Sequence, residues 1–140
     1  MESIMNNRLK FRIWDKLTES FIYCEDDNQQ HFILDLNGNF HNLQNGSGGD
    51  EYVVQQYTGL TDANDNPICE GDILIQNFIK SGSIPVTGVI GQVIYEVDQG
   101  AYIFQWKRNG PNQHHTNLNC DVAFQSVIVG NIFETPYLLK

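Results

Sequence analysis

The sequence predicts an all-β protein, in which an N-terminal meander of β-hairpins packs on a small C-terminal SH3-like barrel, with at most one short C-terminal helical turn. Several short segments alternate apolar and polar residues, as half-buried strands do. Glycine, asparagine and aspartate recur between them, where tight turns need these residues. No long stretch keeps the apolar spacing of an amphipathic helix.

The first predicted element is a strand over residues 8–14, which alternates strictly between apolar and basic side chains. Its basic stripe of Arg8, Lys10 and Arg12 is expected on a solvated strand face. The polar residues 15–20 supply turn chemistry, and residues 21–24 return as a second strand. Together they predict a hairpin.

A second hairpin is predicted from strands at 32–36 and 40–43, because the intervening Asn37-Gly38 can adopt the positive φ angles of a tight turn. Residues 44–50 contain no apolar side chain and are expected to form a mobile loop. The chain should therefore divide into an N-terminal subdomain over 1–55 and a barrel-like subdomain over 56–140, packed as one compact unit.

The C-terminal part begins with a polar turn in residues 62–67 between two β-prone flanks. Three further strands are predicted, and their ranges are 86–96, 101–106 and 124–133. The polar stretch 107–121 is expected to be an exposed loop. Thr135 and Pro136 predict the cap and first residue of a helical turn.

The composition excludes some classes of function. The formal net charge is −9, and a surface this acidic repels phosphate, so no direct nucleic-acid binding is expected. No apolar run is long enough for a membrane span. Cys24, Cys69 and Cys120 are odd in number and widely spaced, which favours a reducing cytoplasm.

Segments at both ends and in the middle resemble the YopX family of phage and prophage proteins, in the same order and spacing. They are Lys10-Phe11-Arg12-Ile13-Trp14-Asp15, Gln56-Tyr57-Thr58-Gly59-Leu60-Thr61-Asp62, Glu70-Gly71-Asp72-Ile73, and Val129-Gly130-Asn131-Ile132-Phe133-Glu134 with Pro136 and Leu138-Leu139. The resemblance implies a mostly β protein with a barrel-like C-terminal part, whose molecular role is not established, and it carries no catalytic residues over. Where the family usually has an Asn-Gly turn, this chain has Asn64-Asp65-Asn66-Pro67.

The resemblance and the turn chemistry together define a structural motif that joins the two β units. Its residues are Tyr57, Gly59, Leu60, Asp62, Glu70, Gly71 and Asp72. Asp62, Asn64 and Asn66 alternate like calcium ligands, but Pro67 and Ile73 stand where a calcium loop needs glycine and glutamate. These side chains are therefore expected to bond their own backbone.

Other candidate sites are weaker. His114, His115 and Cys120 are possible metal ligands within one loop, although adjacent side chains rarely converge on one ion. Aromatic residues could form a base-stacking face, but cations are scarce beside them, so core packing is the preferred interpretation of most of these rings. No cofactor is expected.

The function expected from the sequence is that of a non-enzymatic phage or prophage accessory protein, which acts as a protein-interaction module and forms a homo-oligomer. Two alternatives stay open. One is an acidic mimic that binds a host nucleic-acid-binding protein. The other is a small metal-binding enzyme built on His114, His115 and Cys120.

Overall fold

The computed structural model describes residues 9–23, 31–76, 88–107 and 113–140, together with the backbone of 79–81 and 84–86. The chain divides into two compact units, Met1–Tyr57 (unit 1) and Thr58–Lys140 (unit 2), where the sequence predicts a division after residue 55. Most described residues lie in strands, and the predicted all-β class is confirmed.

Unit 1 contains two antiparallel sheets. Its strands are β1 (Phe11–Asp15), β2 (Ser20–Tyr23), β3 (Phe32–Leu34), β4 (Phe40–Asn42), β5 (Ser47–Gly48) and the first half of β6 (Tyr52–Thr61). β1 pairs with β2 on one side and with β6 on the other, while β4 pairs with β3 and β5. Both predicted hairpins are confirmed, although Cys24 and residues 24–30 lie outside the described residues.

The prediction of a loop at 44–50 is wrong from residue 47 onward, where β5 and a short 3-10 helix, Gly49–Glu51, are formed. The side-chain Oδ1 of Asn45 accepts a hydrogen bond from the Ser47 N–H at 2.9 Å, and the Ser47 hydroxyl lies 2.7 Å from the Tyr52 hydroxyl. Polar side chains thus satisfy the backbone of this segment without apolar burial.

The prediction of a solvated basic stripe is wrong at Arg12, whose side chain is only 6% exposed. Its Nε donates a hydrogen bond to Gln55 Oε1 at 2.8 Å, and its guanidinium lies 4.4 Å from the centre of the Phe21 ring. A hydrogen bond and a cation–π contact offset the cost of burying this charge. Arg8 lies outside the described residues, and Lys10 is exposed.

Unit 2 is built around a curled five-stranded antiparallel sheet. The described strands of unit 2 are the second half of β6, β7 (Pro67–Cys69), β8 (Asp72–Gln76), β9 (Ile79–Ser81), β10 (Ile84–Val86), β11 (Val89–Glu96), β12 (Ala101–Lys107), β13 (Gln113–Asn117) and β14 (Ser126–Asn131). The sheet has the order β13-β12-β11-β8-β14, and β9 pairs separately with β10. Closure into an SH3-like barrel stays a prediction.

The core of unit 2 lies on one face of this sheet. Leu74, Val93 and Phe104 are almost completely buried there, and Ile68 packs with them. A β-carbon at Gly91 would lie 2.8 Å from the Phe104 ring, so only glycine leaves room for this ring to cross β11.

The prediction of a loop over 107–121 is wrong for residues 113–117, which form β13 against β12. A five-residue helix, α1 (Cys120–Phe124), follows, and the Asn119 side chain caps it by accepting from the Val122 N–H at 3.0 Å. Residues 108–112 lie outside the described residues.

The predicted C-terminal helical turn is confirmed as a 3-10 helix, Pro136–Leu139, with Pro136 in its first turn. Thr135 does not cap it with its side chain, however. The Thr135 hydroxyl instead accepts from the Asn131 N–H at 3.0 Å, and Gly130 leaves room for that side chain because a β-carbon there would overlap it. The hydroxyl therefore stabilises the chain just after β14.

Candidate functional site

Unit 1 contains an apolar groove of about 260 Å³. It is bordered by β1 and β2 on one side and by β3 and β4 on the other. Among the described residues that line it, Lys10 alone is charged. Ligand sites in proteins are typically of this kind, mostly apolar with few polar groups that orient the ligand.

The alternating pattern of the strands builds this groove. Phe11 and Ile13 are two residues apart on β1 and therefore point to the same face. Ile13 is directly opposite Ile22 on β2, so both side chains face the groove together. From the second hairpin, the opposite pair Leu34 and Phe40 also lines it.

The rim of the groove leaves apolar side chains in contact with solvent. Leu9 is 58% exposed, Tyr23 43% and Ile33 44%, although all three line the groove. Contiguous exposed apolar surface of this sort is typical of interaction sites rather than of a closed core. The groove is thus an open surface that an apolar group can enter.

A hydrogen-bonded aspartate–histidine pair lies beside the groove. Asp35 and His41 directly follow the groove residues Leu34 and Phe40, and the His41 Nε2 lies 3.0 Å from the Asp35 Oδ2. The hydrogen bond with His41, followed by the bond from the Asn39 backbone, lowers the pKa of Asp35. The carboxylate therefore stays ionised at neutral pH.

Asp62, one of the structural motif residues, is buried in unit 2 and bonds backbone groups of two segments. Its carboxylate is 1% exposed and accepts three backbone hydrogen bonds. Oδ1 accepts from the N–H groups of Asn64 and Asn66, each at 2.9 Å, and Oδ2 accepts from the Ile128 N–H on β14 at 3.0 Å. The interpretation as a backbone-bonded turn is confirmed at Asp62, to which Asn64 and Asn66 donate through their backbone.

The same turn occurs in each unit, which the sequence analysis missed. Residues 35–39 and 62–66 both follow the pattern Asp, any residue, Asn, Gly or Asp, Asn. In both turns, the first carboxylate accepts from the third and fifth N–H groups at 2.9 Å. The fourth residue has a positive φ, +83° at Gly38 and +66° at Asp65. The repeated Asp and Asn spacing was the available signal.

The remaining motif residues support the strands around this turn. Gly59 and Gly71 have φ angles of +89° and +84°, which favour glycine. The Gly71 N–H donates to Val93 at 2.8 Å, and its carbonyl accepts from Ile132 at 2.9 Å. Asp72 is buried, and its Oδ2 accepts from the Cys69 N–H at 2.8 Å.

The other three motif residues are placed as follows. Tyr57 is buried at the end of unit 1, and Leu60 packs on the core of unit 2. The third residue, Glu70, acts on Tyr102. Burial, followed by the charge of Glu70, raises the pKa of Tyr102 to about 12. That phenol therefore stays protonated at physiological pH.

The predicted metal candidates are not brought together as a cluster. His114 and His115 are consecutive on β13, so their side chains point to opposite faces of the sheet. Cys120 is exposed at the start of α1. Within the part of the chain that the structure describes, no three His, Cys, Asp or Glu side chains are placed to bind one metal ion.

Most of the aromatic residues considered for a base-stacking face lie in the core. Trp14, Tyr57, Phe104 and Trp106 are each at most 9% exposed, which confirms the packing interpretation for these rings. Trp106 stacks on Phe104 with ring centres 5.6 Å apart and on His114 at 5.8 Å.

The fold and this groove define a two-unit all-β protein with an open apolar surface. The chain belongs to the YopX family, whose model, described as YopX protein, matches residues 10–140. Its fold is similar to the crystal structure of protein EF1440 from Enterococcus faecalis, with a TM-score of 0.58 and 23% sequence identity over 94% of this chain and 97% of that one. A comparison with curated proteins finds no match. In the described residues, no helix is long and apolar enough to cross a membrane.

Proposed function

We propose that this YopX-family chain is a non-enzymatic accessory protein of phage or prophage origin, which acts as a protein-interaction module. The observation that carries the proposal is the apolar groove of unit 1. Its rim residues Leu9, Tyr23 and Ile33 expose between 43% and 58% of their surface, which a partner would cover.

The chemistry of the groove indicates what it binds. Aliphatic and aromatic side chains favour an apolar segment of a partner protein, because burying such surface is the main source of binding free energy. Lys10 is the charged residue of the lining, so an acidic residue beside that apolar segment would complement it. The odd number and wide spacing of Cys24, Cys69 and Cys120 favour the bacterial cytoplasm as the place of action.

Site-specific photo-crosslinking in the host cell tests this function. A photoreactive phenylalanine analogue replaces Ile33 at the groove rim, and in a control chain it replaces Leu17, which is 84% exposed on the β1–β2 turn. We expect a discrete crosslinked protein with the Ile33 variant and none with the Leu17 variant.

A second substitution shows that the groove is responsible. Ile22→Asp introduces a charge into the apolar lining, and we expect it to abolish the crosslink formed from position 33. Circular dichroism checks that this variant remains folded. Equal crosslinking from positions 17 and 33, or none from either, would contradict the proposal.

A further inference from the structure

The two outer edges of the five-stranded sheet differ in how their backbone groups are used. At the β14 edge, the Ile128 N–H donates to the Asp62 carboxylate at 3.0 Å, and the Ser126 carbonyl accepts from the Ala63 N–H at 2.8 Å. A register shift between Ile128 and Gly130 further interrupts this edge. The turn at Asp62 therefore closes one side of the sheet.

The opposite edge, formed by β13, is open. Among the strands that the structure describes, β13 pairs only with β12. Four of its five residues are exposed, and Thr116 is half-buried. The strand contains no proline and no Lys, Arg, Asp or Glu, which are the usual means of preventing a strand edge from pairing with another chain.

The alternation of hydrogen bonds between β12 and β13 shows which backbone N–H and C=O groups of β13 point away from the sheet. The Leu118 N–H donates to the Tyr102 carbonyl at 3.1 Å, in register with the pairing of Thr116 opposite Phe104. Antiparallel ladders alternate, so residues 114 and 116 also direct their backbone groups toward β12. Gln113, His115 and Asn117 therefore direct their N–H and C=O groups away from the sheet.

We infer that β13 pairs antiparallel with β13 of a second copy of this chain, across a two-fold axis at His115. This inference rests on the proposed function in treating the chain as an interaction module, and it adds a self-association surface apart from the groove. Across this axis His115 lies opposite His115 of the second copy, and Gln113 lies opposite its Asn117. The outward groups of these residues then form three hydrogen-bonded pairs, or about six backbone hydrogen bonds.

Charge and side-chain chemistry favour a second copy as the occupant. Each chain has a net charge of −9, so association of two copies is opposed least where the contact surface carries no acidic group. β13 has no charged residue, and the charged residue in register with it on β12 is the cation Lys107. The opposed side-chain amides of Gln113 and Asn117 can also form hydrogen bonds with each other between the two β13 strands.

The closed β14 edge limits the assembly. Because Asp62 and Ala63 bond that edge within the chain, each copy offers one open edge of this sheet. Pairing through β13 thus gives a two-fold dimer rather than a growing fibre. A five-residue strand makes a small contact, so we expect weak, reversible dimerisation.

Sedimentation equilibrium of the full chain tests dimerisation through β13. The concentrations run from about 1 µM to about 1 mM, which covers weak affinities. We expect a shift from 16.0 kDa toward twice that mass. His115→Lys places like charges opposite each other and should weaken dimerisation about five-fold. Gln113→Lys is the matched control, since its lysine faces the neutral Asn117, and it should have little effect.

A charge-swap experiment fixes the register. His115→Lys and His115→Glu chains, mixed in equal amounts, should form a heterodimer tighter than either homodimer, because only a two-fold axis at residue 115 brings the new charges together. A mass of 16.0 kDa at every concentration overturns the inference, as does a dimer that mixing does not strengthen. The crosslink from position 33 reports on the groove, whereas sedimentation reports on the β13 contact. One proposal can therefore fail while the other stands.

Discussion

The buried carboxylate of Asp62 allows a sharp test of what holds unit 2 together. In Asp62→Asn, the single side-chain oxygen can still accept from Asn64 and Asn66, but the new NH₂ group faces the Ile128 N–H, which lies 3.0 Å from Oδ2 in the native chain. A bond to a charged acceptor contributes about 1.5–3 kcal/mol, and a buried donor left without an acceptor costs about 1–3 kcal/mol. We expect the free energy of unfolding of unit 2 to fall by about 3 kcal/mol.

Urea denaturation followed by tryptophan fluorescence measures this loss. All variants carry Trp14→Phe, so that the emission of Trp106 reports on unit 2. Asp65→Asn is the matched control, because it makes the same change of charge in the same turn at an exposed position. Asparagine also tolerates the φ of +66° found there. If both variants unfold at the same urea concentration, the three-donor account of Asp62 is wrong.

The remaining predictions concern other turns. Asp65→Gly should stabilise the chain by about 1 kcal/mol, measured as a higher urea midpoint, because glycine adopts a positive φ without strain. Gly71→Val should lower the melting temperature more than His114→Ala, since Gly71 has a φ of +84° and His114 is exposed. NMR titration of Asp35 should show a pKa below that of an ordinary aspartate, and His41→Ala should raise it. Because folding lowers this pKa, the stability that Asp35 contributes is present above the ordinary carboxyl pKa and is lost as the pH falls through the folded value.

Alternation and turn residues sufficed to predict the hairpins. Strand side chains repeat every two residues, so the pattern of residues 8–14 indicates a strand without knowledge of its partner. Asn37-Gly38 likewise fixes a turn locally, and Gly38 adopts the positive φ that this prediction requires.

Long-range contacts account for what could not be predicted. The burial of Arg12 depends on Gln55, which is 43 residues away, and on the Phe21 ring of the neighbouring strand. β13 has no apolar alternation, and its pairing is provided by β12. The groove could not be predicted for the same reason. Each strand that lines it was predicted, but their meeting at one cavity depends on tertiary folding.

The duplicated turn bears on how the two units tolerate sequence drift. Its geometry depends on one acceptor carboxylate and on one position that accepts a left-handed backbone, occupied by Gly38 in one unit and Asp65 in the other. The second residue of each turn, Leu36 or Ala63, is exposed and makes no side-chain hydrogen bond within the turn. A library that randomises residues 36 and 63 should therefore yield mostly folded chains, whereas one that randomises Asp62 should not.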